Sequence, residues 1–188
     1  MSDPDGLEDP DDEQPGPGVV LAAAAVIYGA LVTASLLWLW ARGRAEALPA
    51  LSLGDYGPAA ASAVGLGVGV LGALALTRLV RDSEELVPAA QRLFAGASDT
   101  HCVAIAVLSA AAEELFFRLA VQDQFGLLGS VAAYVLLNST VGGVRWKLFT
   151  LVHALALGLL VTSGFGLLGS TTAHAVMTYL CLRRLQTS

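Results

Sequence analysis

The sequence predicts an all-α protein, a polytopic transmembrane helix bundle with about six spans. Two observations carry that expectation. Of 188 residues, 55% are hydrophobic and only 14% charged, and mean hydropathy is positive, a composition that suits a bilayer better than water. The apolar residues also fall into runs of roughly 18–23, and about 20 apolar residues wound as a helix cross a hydrocarbon core. A single membrane domain, residues 18–188, uses up the chain and leaves no room for a second. Acids outnumber bases 16 to 10, with no basic face of the kind that binds nucleic acid.

Residues 1–17 hold seven acids and little that is apolar, so they read as a disordered acidic tail. This stretch lacks the basic start and cleavage site of a signal peptide, so the first span is expected to stay as an anchor. Span 1 covers about 19–40, with Trp38 and Trp40 at an interface and Arg42 and Arg44 beyond it. Span 2 covers about 58–80 and contains Gly65, Gly67, Gly69 and Gly72. The last three spell a dinucleotide fingerprint, but no strand precedes them, and close helix packing through small residues is the simpler reading. Between Arg81 and Thr100, Leu86, Ala90, Leu93 and Phe94 recur at helical spacing beside charged residues, which predicts a short helix on the membrane surface.

Span 3 covers about 101–121, with His101 at its interface; spans 4, 5 and 6 cover about 126–143, 146–163 and 165–182. With six spans both termini share a side. That side holds Arg78, Arg81, Arg92, Arg145, Lys147, Arg183 and Arg184; the other holds Arg42, Arg44 and Arg118. Positive-inside bias then predicts a cell-membrane protein with both termini cytoplasmic. Cys102 and Cys181 fall inside predicted spans without metal-type spacing and read as small buried residues. One hexapeptide recurs: Phe125-Gly-Leu-Leu-Gly-Ser130 and Phe165-Gly-Leu-Leu-Gly-Ser170. Each leads into a span, and aligning them sets Tyr134 against His174 and Asn138 against Thr178.

Span 3 carries the chemistry. Glu113, Glu114 and Arg118 lie inside it, where each charge costs about 2.5–3.5 kcal/mol on insertion scales. Such residues face a protein interior or a water-filled cavity and have work there. Glu114 and Arg118 sit one helical turn apart in the favourable order for an ion pair. Glu113 lies about 100° round the helix, beside that pair but not consumed by it, and is the better general base. His153 and His174 fall at nearly the same depth in their own spans, with Asn138 about one turn from its span's midpoint. Phe149 precedes His153 by one turn, and Thr178 follows His174 by one turn.

A carboxylate and an imidazole can polarise a water for attack on a carbonyl. A second His with a neighbouring hydroxyl can donate to the developing oxyanion. The same Glu113, His153 and His174 would also be the ligand set if a zinc ion were bound, with an open fourth position. Two other classes are a membrane scaffold and a proton-linked carrier using Glu113 and His153 as a relay; against the carrier, span 3 outside the charged stretch is almost wholly apolar and offers no continuous polar path.

These residues resemble the motifs of the CPBP (Abi) intramembrane proteases, which include the CAAX prenyl endopeptidases. EExxxR is present as Glu113, Glu114 and Arg118, FxxxH as Phe149 and His153. In the family's HxxxN or HxxxD motif, His174 is followed by Thr178. The resemblance covers about residues 100–184. It implies a glutamate-dependent endopeptidase acting on a membrane-associated peptide or protein substrate, prenylated ones included. In that reading Glu113 and His153 activate water, and His174 with Thr178 stabilises the oxyanion. The interval between His153 and His174 is shorter than the family's, so an alternative alignment takes Tyr134 and Asn138 as the second motif. A catalytically weak member serving as a scaffold or immunity-type protein is the alternative function.

Overall fold

In the computed structural model, which describes residues 16–44, 53–80, 91–94, 96–138 and 143–187, every regular element among the described residues is helical. Helix α1 spans Pro17–Ala41, α2 Gly57–Val80 and α3 Asp99–Glu114; α3 continues as a π-helical segment, Leu115–Gln122. Helix α4 is Asp123–Asn138 and α5 Val144–Leu160, which passes through a second π-helical segment, Val161–Phe165, into α6, Gly166–Thr187.

Two glycines turn the chain where an L side chain would be strained. Gly126 (φ 71°, ψ 179°) and Gly166 (φ 63°, ψ −171°) each follow a π-helical segment and start a helix running back along the one before. Positive φ with extended ψ is essentially a glycine conformation. The helical stretch 144–186 is thereby a hairpin: Phe149 packs on Met177 and Trp146 beside Cys181, while Leu157 and Leu160 meet Ala173 nearer the turn.

Contacts fix the remaining directions. Val20 and Leu21 of α1 pack near Cys102 and Leu39 near Leu119, so α1 and α3 run the same way. Gly65 faces the backbone of Gly169, and Gly69 that of Ala173, so α2 and α6 are parallel and close. Such approach is what small residues allow between membrane helices. Tyr134 meets His153 and Leu127 meets Gly158, so α4 and α5 are antiparallel. Successive helices therefore alternate, and the start of α1 and the end of α6 share one end of the bundle.

Polarity is distributed inside out. Glu114 and Arg118 are among the largest fully buried side chains, whereas Val26, Leu128 and Leu136 are each more than 70% exposed. In water an outer surface of this kind would favour association at roughly 25 cal/mol per Å² of apolar area; in a bilayer it is solvated by lipid. Three helical stretches, Pro17–Ala41, Gly57–Leu79 and Val144–Gln186, are long and apolar enough to cross a membrane.

Several boundaries differ from expectation. Helix α4 is described as far as Asn138, about 18 Å beyond the Gly126 turn at 1.5 Å per residue; residues 139–142 of the expected span lie outside the described residues. Helix α3 with its π-helical continuation is longer than the expected span 3. It starts on a Ser98 cap whose hydroxyl lies 2.6 Å from His101 Nδ1, and this places His101 at the helix end as expected. Of the tail, 1–15 lie outside the described residues, and Pro17 is already helical. Most of the expected surface helix is likewise outside them; its end, at Phe94, packs in the Cys102 cluster.

Candidate active site

The buried pair at the middle of the bundle is held from three helices. Arg118 Nε and Glu114 Oε2 are 3.2 Å apart, with both side chains fully buried. The guanidinium also donates through its NH1 nitrogen to Ser130 Oγ of α4 at 2.9 Å, and that hydroxyl donates to the Phe117 carbonyl at 2.7 Å. The Tyr134 ring lies under the guanidinium at 5.4 Å, within cation–π range. Four successive residues of the π-helical segment, Phe117 to Ala120, are buried, so this stretch is enclosed on every face. π-Helical turns occur often at functional sites, where they re-aim side chains.

Glu114 has a second partner. His174 Nδ1 lies 3.0 Å from Glu114 Oε1, and the Ser170 hydroxyl also faces this carboxylate. An ionised carboxylate only accepts, so His174 carries its proton on Nδ1 and turns Nε2 the other way. That nitrogen is 3.9 Å from Glu113 Oε2, beyond direct hydrogen bonding but within reach of a shared water or substrate atom. Arg118, Glu114 and His174 form a relay of orientation: each fixes the next, and the last presents a ring nitrogen to Glu113.

Glu113 is not as free as its sequence position implies. The hydroxyls of Tyr28 from α1 and Tyr134 from α4 both face its carboxylate, and Tyr28 also approaches Ser109.

His153 sits opposite. Its ring stacks on Phe149, centroids 5.6 Å apart and planes within 7°, and meets the edge of His174 at 5.4 Å. Its Nε2 is buried without a partner among the described residues. An unsatisfied buried polar atom costs about 1–3 kcal/mol, so this nitrogen is a position where water or substrate would be stabilised.

A cavity of about 230 Å³ opens here, lined among others by Glu113, Tyr134, Asn138, His153, His174 and Thr178. It holds several water molecules by volume and extends toward the end of the bundle where α1 starts and α6 ends, past Trp146, Cys181 and Leu182.

The sequence candidates thus converge, with one distinction among them. Glu113, Glu114, Arg118, His153 and His174 form a single cluster, Phe149 supports His153, and Thr178 lines the cavity. Asn138 lines it too, but its amide donates to the Tyr134 carbonyl at 3.1 Å, within its own helix. The zinc ligand set does not fit: among the described residues no three His, Cys, Asp or Glu side chains are grouped to hold a metal. Tetrahedral zinc with bonds of about 2.0–2.1 Å wants donors about 3.3 Å apart, closer than His174 Nε2 and Glu113 Oε2.

Sequence reasoning missed Tyr28, Ser130, Ser170 and Gln122, whose amide donates to the Gly158 carbonyl at 3.0 Å. Ser130 and Ser170 had a signal, since each ends a copy of the repeated hexapeptide and each is fully buried.

No family model matches the chain, and no curated protein or solved structure matches it significantly.

Proposed function

We propose that the protein is a glutamate-dependent intramembrane endopeptidase, six helices deep in the cell membrane with both termini cytoplasmic, cleaving a membrane-associated peptide, prenylated chains included. The observation that supports this reading is that Glu113 and His153, whose Nε2 has no partner among the described residues, line one cavity. The likeness of the Glu113–Arg118 and Phe149–His153 spellings to CPBP protease motifs supports it as well.

In the proposed reaction a water bound between Glu113 and His153 gives its proton to Glu113 as its oxygen attacks the scissile carbonyl. The carbonyl oxygen becomes an oxyanion beside His174 Nε2, which donates to it when the ring is protonated, and the Thr178 hydroxyl one turn on supplies a second donor. Collapse of the tetrahedral intermediate breaks the C–N bond, and Glu113 returns the proton to the leaving amine. Arg118 and Glu114 touch no reacting atom; they hold His174. Entry is from the cytoplasmic end, because the cavity extends that way.

The scaffold reading draws on Thr178 standing where the family has an amide or carboxylate. Cleavage decides between them. A membrane-embedded or prenylated test peptide, incubated with reconstituted protein, should be processed by wild type and by Asn138→Ala but not by His153→Ala. Equal processing by the His153 variant would remove the water-activating role assigned to that ring.

A further inference from the structure

Away from the active site, α2 and α6 enclose a second cavity. Near Gly65 and Gly69 the two parallel helices are in backbone contact. At Gly72 the Met177 side chain stands between the two helices. There a groove of about 510 Å³ lies between them, lined by Val70, Ala73, Leu74 and Thr77 of α2 and by Leu180, Arg183 and Arg184 of α6. Val70, Leu74 and Leu180 are each more than a third exposed, so the groove's wall belongs to the bilayer-facing surface. Its far end is formed by two guanidiniums. Arg183 is tethered there by an ion pair with Asp99 of α3 and a hydrogen bond to Gln186 at 3.2 Å. The tether orders the side chain at the groove rim before any ligand arrives, which lowers the entropic cost of binding.

We infer that this groove is a binding site for an anionic phospholipid, its phosphate at Arg183 and Arg184 and one acyl chain along Val70, Leu74 and Leu180. The chemistry selects that occupant. Hydrocarbon wall and cationic rim are continuous over about two helical turns, so an amphiphile satisfies both where an inorganic anion satisfies one. Guanidinium groups take phosphate oxygens in pairs. Basic pockets between membrane helices near the cytoplasmic face suit anionic headgroups, and a choline headgroup would add a like charge. The groove faces away from Glu113 and His153, so this inference needs the bilayer placement but not the peptidase reading.

The test is thermal unfolding of the full chain in neutral detergent. The additions are phosphatidylglycerol, phosphatidylcholine with the same acyl chains, or inorganic phosphate. Phosphatidylglycerol should raise the unfolding midpoint more than phosphatidylcholine, and inorganic phosphate should leave it unchanged. Arg184→Gln should weaken phosphatidylglycerol binding about tenfold, the size of one lost charge-assisted contact. Leu74→Trp fills the groove at a half-exposed position and leaves both guanidiniums in place; it should abolish the preference for phosphatidylglycerol. Should Arg184→Gln fail to accumulate, the Leu74→Trp result decides. Equal shifts from the two lipids in wild type, an inorganic phosphate shift matching the lipid's, or a full lipid preference in Leu74→Trp would each overturn the site.

Discussion

A guanidinium taken out of water costs several kcal/mol unless its donors find partners; Arg118 meets Glu114, Ser130 and the Tyr134 ring at once, and only its NH2 nitrogen is left without a hydrogen bond among the described residues. Arg118→Ala leaves Glu114 as an uncompensated buried charge with only His174 and Ser170 beside it. A loss of about 3–5 kcal/mol follows, read as a sharp fall of protein accumulated in membranes; unchanged accumulation would mean the pair is solvated. Ser130→Ala removes one bond to a charged group, about 1.5–3 kcal/mol, and should lower the unfolding midpoint without emptying the membrane of protein. At this scale the sequence was informative wherever charge was in play. A Glu and an Arg one turn apart inside an apolar run have few alternatives to pairing. Tyr28 gave no such signal: one tyrosine in a long apolar helix looks the same whether it faces lipid or a carboxylate two helices further along the chain.

Between residue and bundle, the two hairpins α3–α4 and α5–α6 share a construction. Each rising helix loosens into a π-helical segment, a glycine with positive φ reverses the chain, and a fully buried serine follows in the next helix. Ser130 then reaches Arg118, and Ser170, whose hydroxyl donates to the Leu167 carbonyl, lies near Glu114, so the two copies of the hexapeptide place a buried serine beside each end of one ion pair. Glu113 and His153 are separated by the same interval as the copies, and so are Tyr134 and His174. The polar lining of the cavity is therefore drawn from matching positions of the two hairpins. Gly166→Ala tests the turn. A Cβ there would sit 2.5 Å from the Gly54 nitrogen on a backbone that also disfavours L residues by about 1–3 kcal/mol. The variant should unfold at a clearly lower temperature, whereas Gly67→Ala, with open space around it, should not. The repeat was legible as letters only. Six apolar and small residues in common do not specify a turn, because the π-helical segments that precede both glycines arise from packing, not from local propensity.

For the whole molecule, hydropathy made the membrane character and the all-helical class readable, since an apolar exterior needs only composition to be seen. Lengths were harder. Helix α3 with its π-helical continuation outran the expected span, because it starts on the Ser98 cap, a side-chain contact that hydropathy does not record. If all six helices cross, reporter fusions at residue 1 and residue 188 should both report the cytoplasm, and opposite locations would remove one crossing. The central claim, that Glu113 is a general base, is tested most directly by Glu113→Gln, measured for membrane accumulation and for cleavage of a membrane-embedded peptide in the same preparation. The amide keeps the shape of the side chain beside Tyr28 and Tyr134 but cannot take a proton from water. The account predicts near-normal accumulation with cleavage reduced about 10²–10⁴-fold. Cleavage by Glu113→Gln at the wild-type rate would contradict it.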